Sequence, residues 1–175
     1  MSVFTIQIDY REKTPWLFEV ARASGIPYRL VMRKVNSGDY TFVGGDNVIA
    51  VERKSMADFM KTMSLSLDGS GKQLRYRFSL EIARLQKIQE SYIIVEAPLQ
   101  RVLQIGTALK GQIAKLLLLR AILRMKRLYP RTRWIFAPNR EEAQQVAFFV
   151  LHRAWNRARQ PVRPGRPAEP SRADW

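Results

Sequence analysis

The chain has 175 residues, of which 46% are hydrophobic, and a formal net charge of +15 at pH 7. This length and hydrophobic content suit one folded domain and exclude a wholly disordered chain. The chain has no cysteine, which excludes disulfides and cysteine-based zinc sites. It shows no leader-like start and no apolar run near the ~20 residues that a membrane helix needs. We therefore expect a soluble intracellular protein, cytoplasmic or, in a eukaryote, nuclear, with no membrane partner.

The first elements are predicted to be two strands separated by a helix. Residues 3–9 form a β-rich run, and residues 28–35 form another. Between them, Thr14 is a suitable N-cap and Pro15 suits the first helical position, while Gly25 marks the end of the helix. The pattern predicts a strand–helix–strand unit.

The next segment predicts a β-hairpin. Gly44-Gly45-Asp46-Asn47 is a strong turn sequence between β-rich runs at 38–43 and 48–54. Pairing Val43 with Val48 and counting outward sets the whole register. One face of the hairpin is then predicted to be core, and it carries Tyr40, Phe42, Ile49 and Val51.

The other face of this hairpin brings charged residues together. The register places Asp39 opposite Glu52, with Lys54 on the same side two residues further on. Two carboxylates in that position repel each other, but they would bind a hard cation such as Mg²⁺ or Mn²⁺. Such a cation can polarise a phosphodiester and activate water, and Lys54 can hold that water or neutralise developing charge. The alternative is an exposed hairpin with scattered charges.

Two further charged residues near the hairpin have ambiguous roles. Asp58 follows Ser55 at the spacing of a helix capping box, so it can be structural, a metal ligand or both. Arg53 points by alternation away from Glu52, so it can hold the strand or reach a phosphate from the rim.

These residues resemble the nuclease domain of the XPF family of structure-specific endonucleases. The family pattern is GD followed at variable distance by ERK-x-x-x-D, and the matching residues are Gly38, Asp39, Glu52, Arg53, Lys54 and Asp58. A second family feature, D-x-R-E after a strand, matches Asp9, Arg11 and Glu12, and the resemblance implies that Asp9 also lies at the active site. Together with Arg53, residues Arg11 and Arg77 would contact phosphate or support the acidic residues.

One position departs from the family pattern. Arg77-Phe78 and Arg84-Leu85 fit it, but Glu81 stands where many members have Gln. The role of Glu81 therefore stays open. The resemblance covers residues 3 to about 155, in the same order of elements.

The rest of the chain predicts alternating helices and strands. A helix at 72–90 has one apolar stripe, and short apolar strands follow at 92–97 and 134–137. Such alternation predicts an α/β fold with a mixed, mainly parallel central sheet flanked by helices. The resemblance implies the same restriction-endonuclease-like core. The stripe consists of Leu74, Phe78, Ile82 and Leu85.

Residues 97–140 contain ten basic residues and no acidic one, which is typical of a surface that binds phosphate. The helix predicted at 107–129 has two apolar stripes, and Arg120, Arg124 and Arg127 form a basic ridge that we expect to contact DNA.

A final helix, capped by Asn139, also has two apolar faces. A second copy of the chain, or a related partner, would cover the extra faces, and the resemblance implies such pairing through the late helices. The alternative is burial within a monomer.

We thus expect residues 1–159 to form the nuclease domain and residues 160–175 to form a disordered tail rich in Pro and Arg. The predicted activity is Mg²⁺- or Mn²⁺-dependent hydrolysis of DNA at a branch such as a flap or fork. Asp39 and Glu52 would be the metal ligands, and Asp9 and Asp58 would be ligands or supports. The alternatives are a non-catalytic DNA-binding partner or scaffold and an RNA-binding basic protein.

Overall fold

The computed structural model describes residues 3–63 and 70–160. Its elements, in chain order, are β1 (Phe4–Asp9), a 3₁₀ helix (Glu19–Ser24), β2 (Tyr28–Arg33), β3 (Tyr40–Phe42), β4 (Ile49–Lys54), α1 (Met56–Met63), α2 (Ser70–Leu85), β5 (Glu90–Val95), α3 (Leu99–Leu128), β6 (Thr132–Phe136) and α4 (Arg140–Arg159).

The strands form one mixed sheet in the order β2-β1-β3-β4-β5-β6. β1 and β2 are parallel, as are β4, β5 and β6, whereas β3 runs antiparallel to both of its neighbours. Helices lie on both faces. The predicted α/β architecture with a mixed, mainly parallel sheet is confirmed.

The hairpin register is also confirmed. Tyr40 pairs with Val51, which is the register obtained by counting outward from the turn. The strands are shorter than predicted, because residues at the tip turn back early. Gly45 donates its backbone N–H to Phe42, and Val48 donates its own to Gly45.

Two hydrophobic cores pack against the two faces of the sheet. One joins β1, β3 and β4 to the 3₁₀ helix and α4, with Phe148 at its centre. The other lies under α1, α2 and α3 and includes Phe78, Ile82 and Trp134. The predicted core residues of the hairpin, Tyr40, Phe42, Ile49 and Val51, are all buried in the first core.

The helix predicted from Thr14 to Gly25 was wrong in its first half. Only Glu19–Ser24 is helical, as a 3₁₀ helix, although it does end at Gly25. Trp16 and Phe18 precede this helix, and both are buried. Residues two positions apart lie on different sides of a helix, so one helix face could not bury both. The backbone N–H of Trp16 donates to the Tyr40 hydroxyl, so a distant contact holds this segment outside a helix.

The later segments predicted to be helical are helices, but their first and last residues differ from the prediction. α3 begins at Leu99, well before residue 107, because Pro98 supplies an extended N-cap from which the helix starts. α4 starts after Asn139, whose side chain accepts a hydrogen bond from Glu142 N at 2.8 Å, as predicted. Residues 161–175 of the predicted tail lie outside the described residues.

No helix in the described ranges has both the length and the apolar character required to cross a membrane.

Candidate active site

Three carboxylates share one row across the sheet. Asp9 ends β1, Asp39 immediately precedes β3, and Glu52 lies on β4. The Asp9 N–H donates to the Asp39 carbonyl at 2.8 Å, and the Asp39 N–H donates to the Val51 carbonyl at 2.8 Å. Because the register places Asp39 opposite Glu52, all three lie on the sheet face away from Phe148.

Gly38 makes this arrangement possible. Its φ of +77° lies in the left-handed region, and a Cβ there would meet the Val51 carbonyl oxygen at 2.9 Å. Glycine therefore lets the chain approach β4 closely enough for Asp39 to pair with it. This gives a physical reason for glycine immediately before the aspartate.

Glu52 and Lys54 form a buried ion pair at the centre of the site. Lys54 Nζ lies 2.5 Å from Glu52 Oε1 and 3.3 Å from Glu81 Oε2. Glu52 is only 3% exposed, and its second oxygen, Oε2, is buried with no hydrogen-bond partner in the described part of the chain. An orphaned buried carboxylate oxygen is costly unless a cation or a water satisfies it.

The pKa values follow from this crowding. Burial raises the pKa of Asp39 to about 7. Burial, and then the neighbouring Asp39 charge, raise the pKa of Glu52 well above its ordinary value. Burial acts to lower the pKa of Lys54, but the carboxylates of Glu52 and Glu81 outweigh it and leave that pKa above its usual range. Lys54 is therefore a cation at neutral pH and not a general base.

Asp39 and Glu52 supply the type of oxygen that a hard divalent cation prefers. Asp39 Oδ2 accepts the Arg53 backbone N–H at 2.8 Å, which fixes the direction of the carboxylate. Mg²⁺ in phosphoryl-transfer sites is commonly held by one or two carboxylates together with water and substrate phosphate. In the described ranges no group of three or more His, Asp or Glu side chains is arranged to hold a metal, so a cation here would draw on these two carboxylates and on water or substrate.

Arg53 lies on the opposite face of β4, in a network of its own. Its guanidinium is 8% exposed and binds Glu96 through two bonds of 2.8 and 3.0 Å. A further nitrogen contacts Glu12 and donates to the Thr14 hydroxyl. Arg53 thus supports the strand from behind, and no bond of its side chain reaches Asp39 or Glu52.

Asp9 is committed to structural contacts. Its Oδ1 accepts from Arg11 Nε at 2.8 Å, and its Oδ2 accepts from Arg11 Nη2 at 2.6 Å and from Val35 N at 3.1 Å. The bond to Arg11 lowers the pKa of Asp9, although burial opposes it. With both oxygens in use, this is the geometry of a support to the site.

Asp58 lies on the exposed side of α1. Its carboxylate accepts the Ser55 hydroxyl at 2.6 Å, and its N–H donates back to Ser55 Oγ at 3.1 Å. The Ser55 half of the predicted capping box is therefore present, while Asp58 bonds to the Ser55 hydroxyl instead of its backbone N–H. Within the described residues, no hydrogen bond or ion pair joins Asp58 to Asp39, Glu52 or Lys54.

The predicted DNA-binding arginines fall into two places. Arg77 is exposed on α2, one turn before Glu81, and so on the helix face nearest Lys54. The other three lie on α3 and are exposed, on the side opposite the buried Leu118 and Ile122. These three are Arg120, Arg124 and Arg127.

An apolar surface adjoins the α3 arginines. Leu116 is 65% and Leu123 57% exposed, and Leu128 is also exposed. With Leu119 and the three arginines they line a groove of about 640 Å³. On α4, Phe149 is exposed whereas Phe148 is buried. One of the two predicted apolar faces on each helix is thus solvent-accessible in the single chain.

Sequence reasoning missed the hub of the Arg53 network. Glu96 accepts bonds from Arg53, from Trp16 Nε1 at 2.7 Å and from Arg140 at 2.8 Å. Its one sequence signal is an acidic residue at the end of an otherwise apolar strand. Because its partners come from three distant segments, their convergence is not visible in any local pattern.

Comparison with known proteins agrees with the sequence resemblance. The family model described as ERCC4 domain matches residues 8–148. The structure of XPF from Aeropyrum pernix is similar with a TM-score of 0.61 at 21% identity, covering 87% of this chain and 66% of that one. XPF from Aeropyrum pernix in complex with DNA gives a TM-score of 0.62 at 18% identity, covering 91% and 68%. The chain therefore spans about two thirds of those chains and shares their fold. No curated protein matches it.

Proposed function

Since this chain belongs to the ERCC4 domain family, we propose that it is a DNA nuclease that hydrolyses a phosphodiester bond with the help of Mg²⁺ or Mn²⁺. The observation that carries the proposal is the site geometry. A buried Glu52 oxygen without a described partner faces the row that holds Asp39, beside a cationic Lys54. In a hairpin with only a structural role, the repulsion between the Asp39 and Glu52 carboxylates would lower stability without any return.

Asp39 and Glu52 would hold the cation. When bound, it would polarise the phosphodiester and lower the pKa of the attacking water. Burial raises the pKa of both carboxyls, to about 7 for Asp39, so cation binding would also release protons.

The chain's own residues supply the remaining chemistry. Lys54 Nζ is held by Glu52 and Glu81, so it would present a fixed positive charge to the phosphate as charge builds on its oxygens. Arg53 and Asp9 would keep β4 and β1 in register without touching the substrate. We assign Asp58 to the cap of α1 and, through that cap, to the support of the site.

We further propose that the DNA substrate is branched, such as a flap or fork. The support is the similarity in fold to XPF from Aeropyrum pernix, which has been solved in complex with DNA. The exposed α3 arginines and Arg77 give this chain cationic surface outside the carboxylate site.

We also propose that a second copy of the chain, or a related chain, pairs on the exposed face of α3. The support is the contiguous apolar surface formed by Leu116, Leu123 and Leu128, which a lone chain leaves in water. The α3 arginines line the same groove as these leucines, so pairing and DNA binding would occupy adjacent strips of α3.

Cleavage assays test the proposed activity. Labelled single-stranded, duplex, flap and forked DNA would be incubated with Mg²⁺ or Mn²⁺, using wild type, Asp39→Asn and Lys54→Met, with Asp46→Asn as a matched control in the hairpin turn. We expect wild type and the control to cut the branched substrates and the two site variants to bind without cutting. Binding by all four proteins with cleavage by none would instead favour a non-catalytic scaffold. Cleavage that survives both site substitutions would refute the assignment.

A further inference from the structure

The row of carboxylates continues onto the edge strand of the sheet. Asp9 pairs with Arg33 on β2, so the row reads Arg33, Asp9, Asp39, Glu52 across four adjacent strands. Neighbouring strands lie about 4.8 Å apart, which places the Arg33 backbone about 10 Å from that of Asp39. Arg33 is thus the cation at the open end of the proposed active-site row.

A second arginine shares this face of β2. Arg29 pairs with Thr5, and Thr5 and Asp9 lie on the same side of β1, opposite the buried Ile6 and Ile8. Arg29 and Arg33 therefore lie on the site face of the sheet, four residues apart, or about 13 Å along the strand.

The β2 edge of this sheet face is exposed. The core beneath α1, α2 and α3 contains residues of β4, β5 and β6, but none of β1 or β2. On β1, Gln7 and Asp9 are buried against the segment that follows β2: Gln7 Nε2 donates to the Lys34 carbonyl at 2.8 Å, and Asp9 Oδ2 accepts from Val35 N at 3.1 Å. Both Arg29 and Arg33 are exposed, and neither forms an ion pair with any residue of the described ranges.

Exposed arginines without an acidic partner are available to bind an anionic ligand. The polyanion that the proposed nuclease must hold is a DNA strand, which carries one charged phosphate per nucleotide. A distance of about 10 Å between the Arg33 and Asp39 backbones corresponds to no more than a few nucleotides of one strand. A strand with its scissile phosphate at Asp39 and Glu52 would therefore bring a later phosphate to Arg33.

We propose that Arg33 and Arg29 form a phosphate track on β2 that positions the DNA strand running away from the scissile bond. This inference rests on the proposed nuclease function and deepens it, because it states which path the substrate takes across the sheet. The residues act on binding and register of the strand and do not touch the reacting atoms.

Binding assays separate the track from the chemistry. Fluorescence anisotropy would be measured in EDTA on a flap DNA at several salt concentrations, for wild type, Arg33→Ala, Arg29→Ala and the double variant. Arg22→Ala is the matched control, since Arg22 is an exposed arginine on the 3₁₀ helix of the opposite face. Each phosphate contact contributes about 0.7–0.9 to the slope of log affinity against log salt. We expect the double variant to lose about 1.4–1.8 from that slope and the control to lose nothing.

A phosphate-neutralised substrate locates the contact. Uncharged methylphosphonate linkages would be placed one at a time at successive nucleotides from the cut, and in wild type one of these positions should weaken binding severalfold. In Arg33→Ala the same linkage should have no further effect, because the partner of that phosphate is already gone.

The outcomes are distinguishable from those that test the nuclease itself. Wild-type cleavage together with unchanged salt slopes in the double variant would overturn the track and leave the nuclease intact. DNA binding without cleavage would refute the activity, while a reduced slope in the double variant would still support the track. Absence of any DNA binding by wild type would overturn both.

Discussion

Replacing Asp39 with Asn should stabilise the folded chain in the absence of metal. The substitution removes one of two opposed carboxylate charges but keeps an oxygen that can accept the Arg53 backbone N–H. It also leaves the Lys54–Glu52 ion pair untouched. For that reason it isolates the cost of the Asp39 charge more cleanly than a change at Glu52, which would remove the closest ion-pair partner of Lys54.

The size of the effect follows from the pKa of Asp39. That pKa is about 7 in the folded chain against 3.8 for an ordinary aspartate. At 1.36 kcal/mol per pH unit, the full difference is about 4 kcal/mol. Because solvent reaches this partly exposed carboxyl and screens its charge, we expect about 1–2 kcal/mol, or a rise in Tm of about 2–8 °C.

The pH dependence has a defined sign. A carboxyl whose pKa is raised by folding contributes its stability below the unfolded pKa and loses it as pH rises through the folded value. The advantage of Asp39→Asn over wild type should therefore grow between about pH 4 and about pH 7 and stay constant above. Thermal unfolding followed by circular dichroism in EDTA, at steps across this range, measures it.

Two comparisons complete the experiment. Asp46→Asn in the hairpin turn makes the same chemical change away from the row and should not reproduce the pH-dependent gain. Adding Mg²⁺ or Mn²⁺ at pH 8 should stabilise wild type and not Asp39→Asn, since only wild type keeps both proposed ligands. A natively folded Asp39→Asn that is no more stable than wild type at pH 8 in EDTA would refute the reasoning about opposed charges.

Four further predictions concern the rest of the site and the surface. Lys54→Met should slow cleavage by about 100-fold or more while leaving anisotropy-measured DNA binding nearly unchanged, and equal losses of both would contradict its role at the phosphate. Arg53→Lys should lower the free energy of unfolding by about 2–4 kcal/mol in urea titrations, because lysine cannot replace the paired bonds to Glu96, whereas the exposed Arg11→Lys should cost less. Calorimetric Mg²⁺ affinity of wild type should rise with pH through about 7, with protons released on binding; a pH-independent affinity would argue against Asp39 as a ligand. Leu116→Glu combined with Leu123→Glu should yield a monomer by sedimentation, with Leu80→Glu on α2 as the exposed control, and an unchanged association state would place pairing elsewhere.

The hairpin was predictable because its information is local. A glycine-rich turn and strict alternation set the register, and the register alone placed Asp39 opposite Glu52. The Asn139 cap and the Ser55–Asp58 box were visible for the same reason, since each joins residues three apart.

The segment before the 3₁₀ helix was not predictable in this way. Thr14 and Pro15 carry good helix-start preferences, but Trp16 bonds to Tyr40 and Glu96, and the Phe18 N–H bonds to Gln144. Those partners lie 24 to 126 residues away. Tertiary contacts outweigh a local preference of about 1 kcal/mol, so the chain stays non-helical there, with Phe18 in the left-handed region at φ +56°.

The exposure of the row bears on how a substrate enters. Glu52 and Asp9 are both buried, Asp39 between them is partly exposed, and Arg33 at the end of the row is open to solvent. A phosphate that enters from β2 would meet the positive charge of Arg33 first and then Asp39, close to the cation that Lys54 supplies. Approach over α1 to α3 would instead cross the side chains that bury Glu52.

If the strand does enter from β2, Arg33→Glu should slow association with DNA more than it speeds dissociation, because a charge at the entrance acts on the encounter. Stopped-flow anisotropy measures both rates, and an effect confined to dissociation would place the entrance on another side of the row.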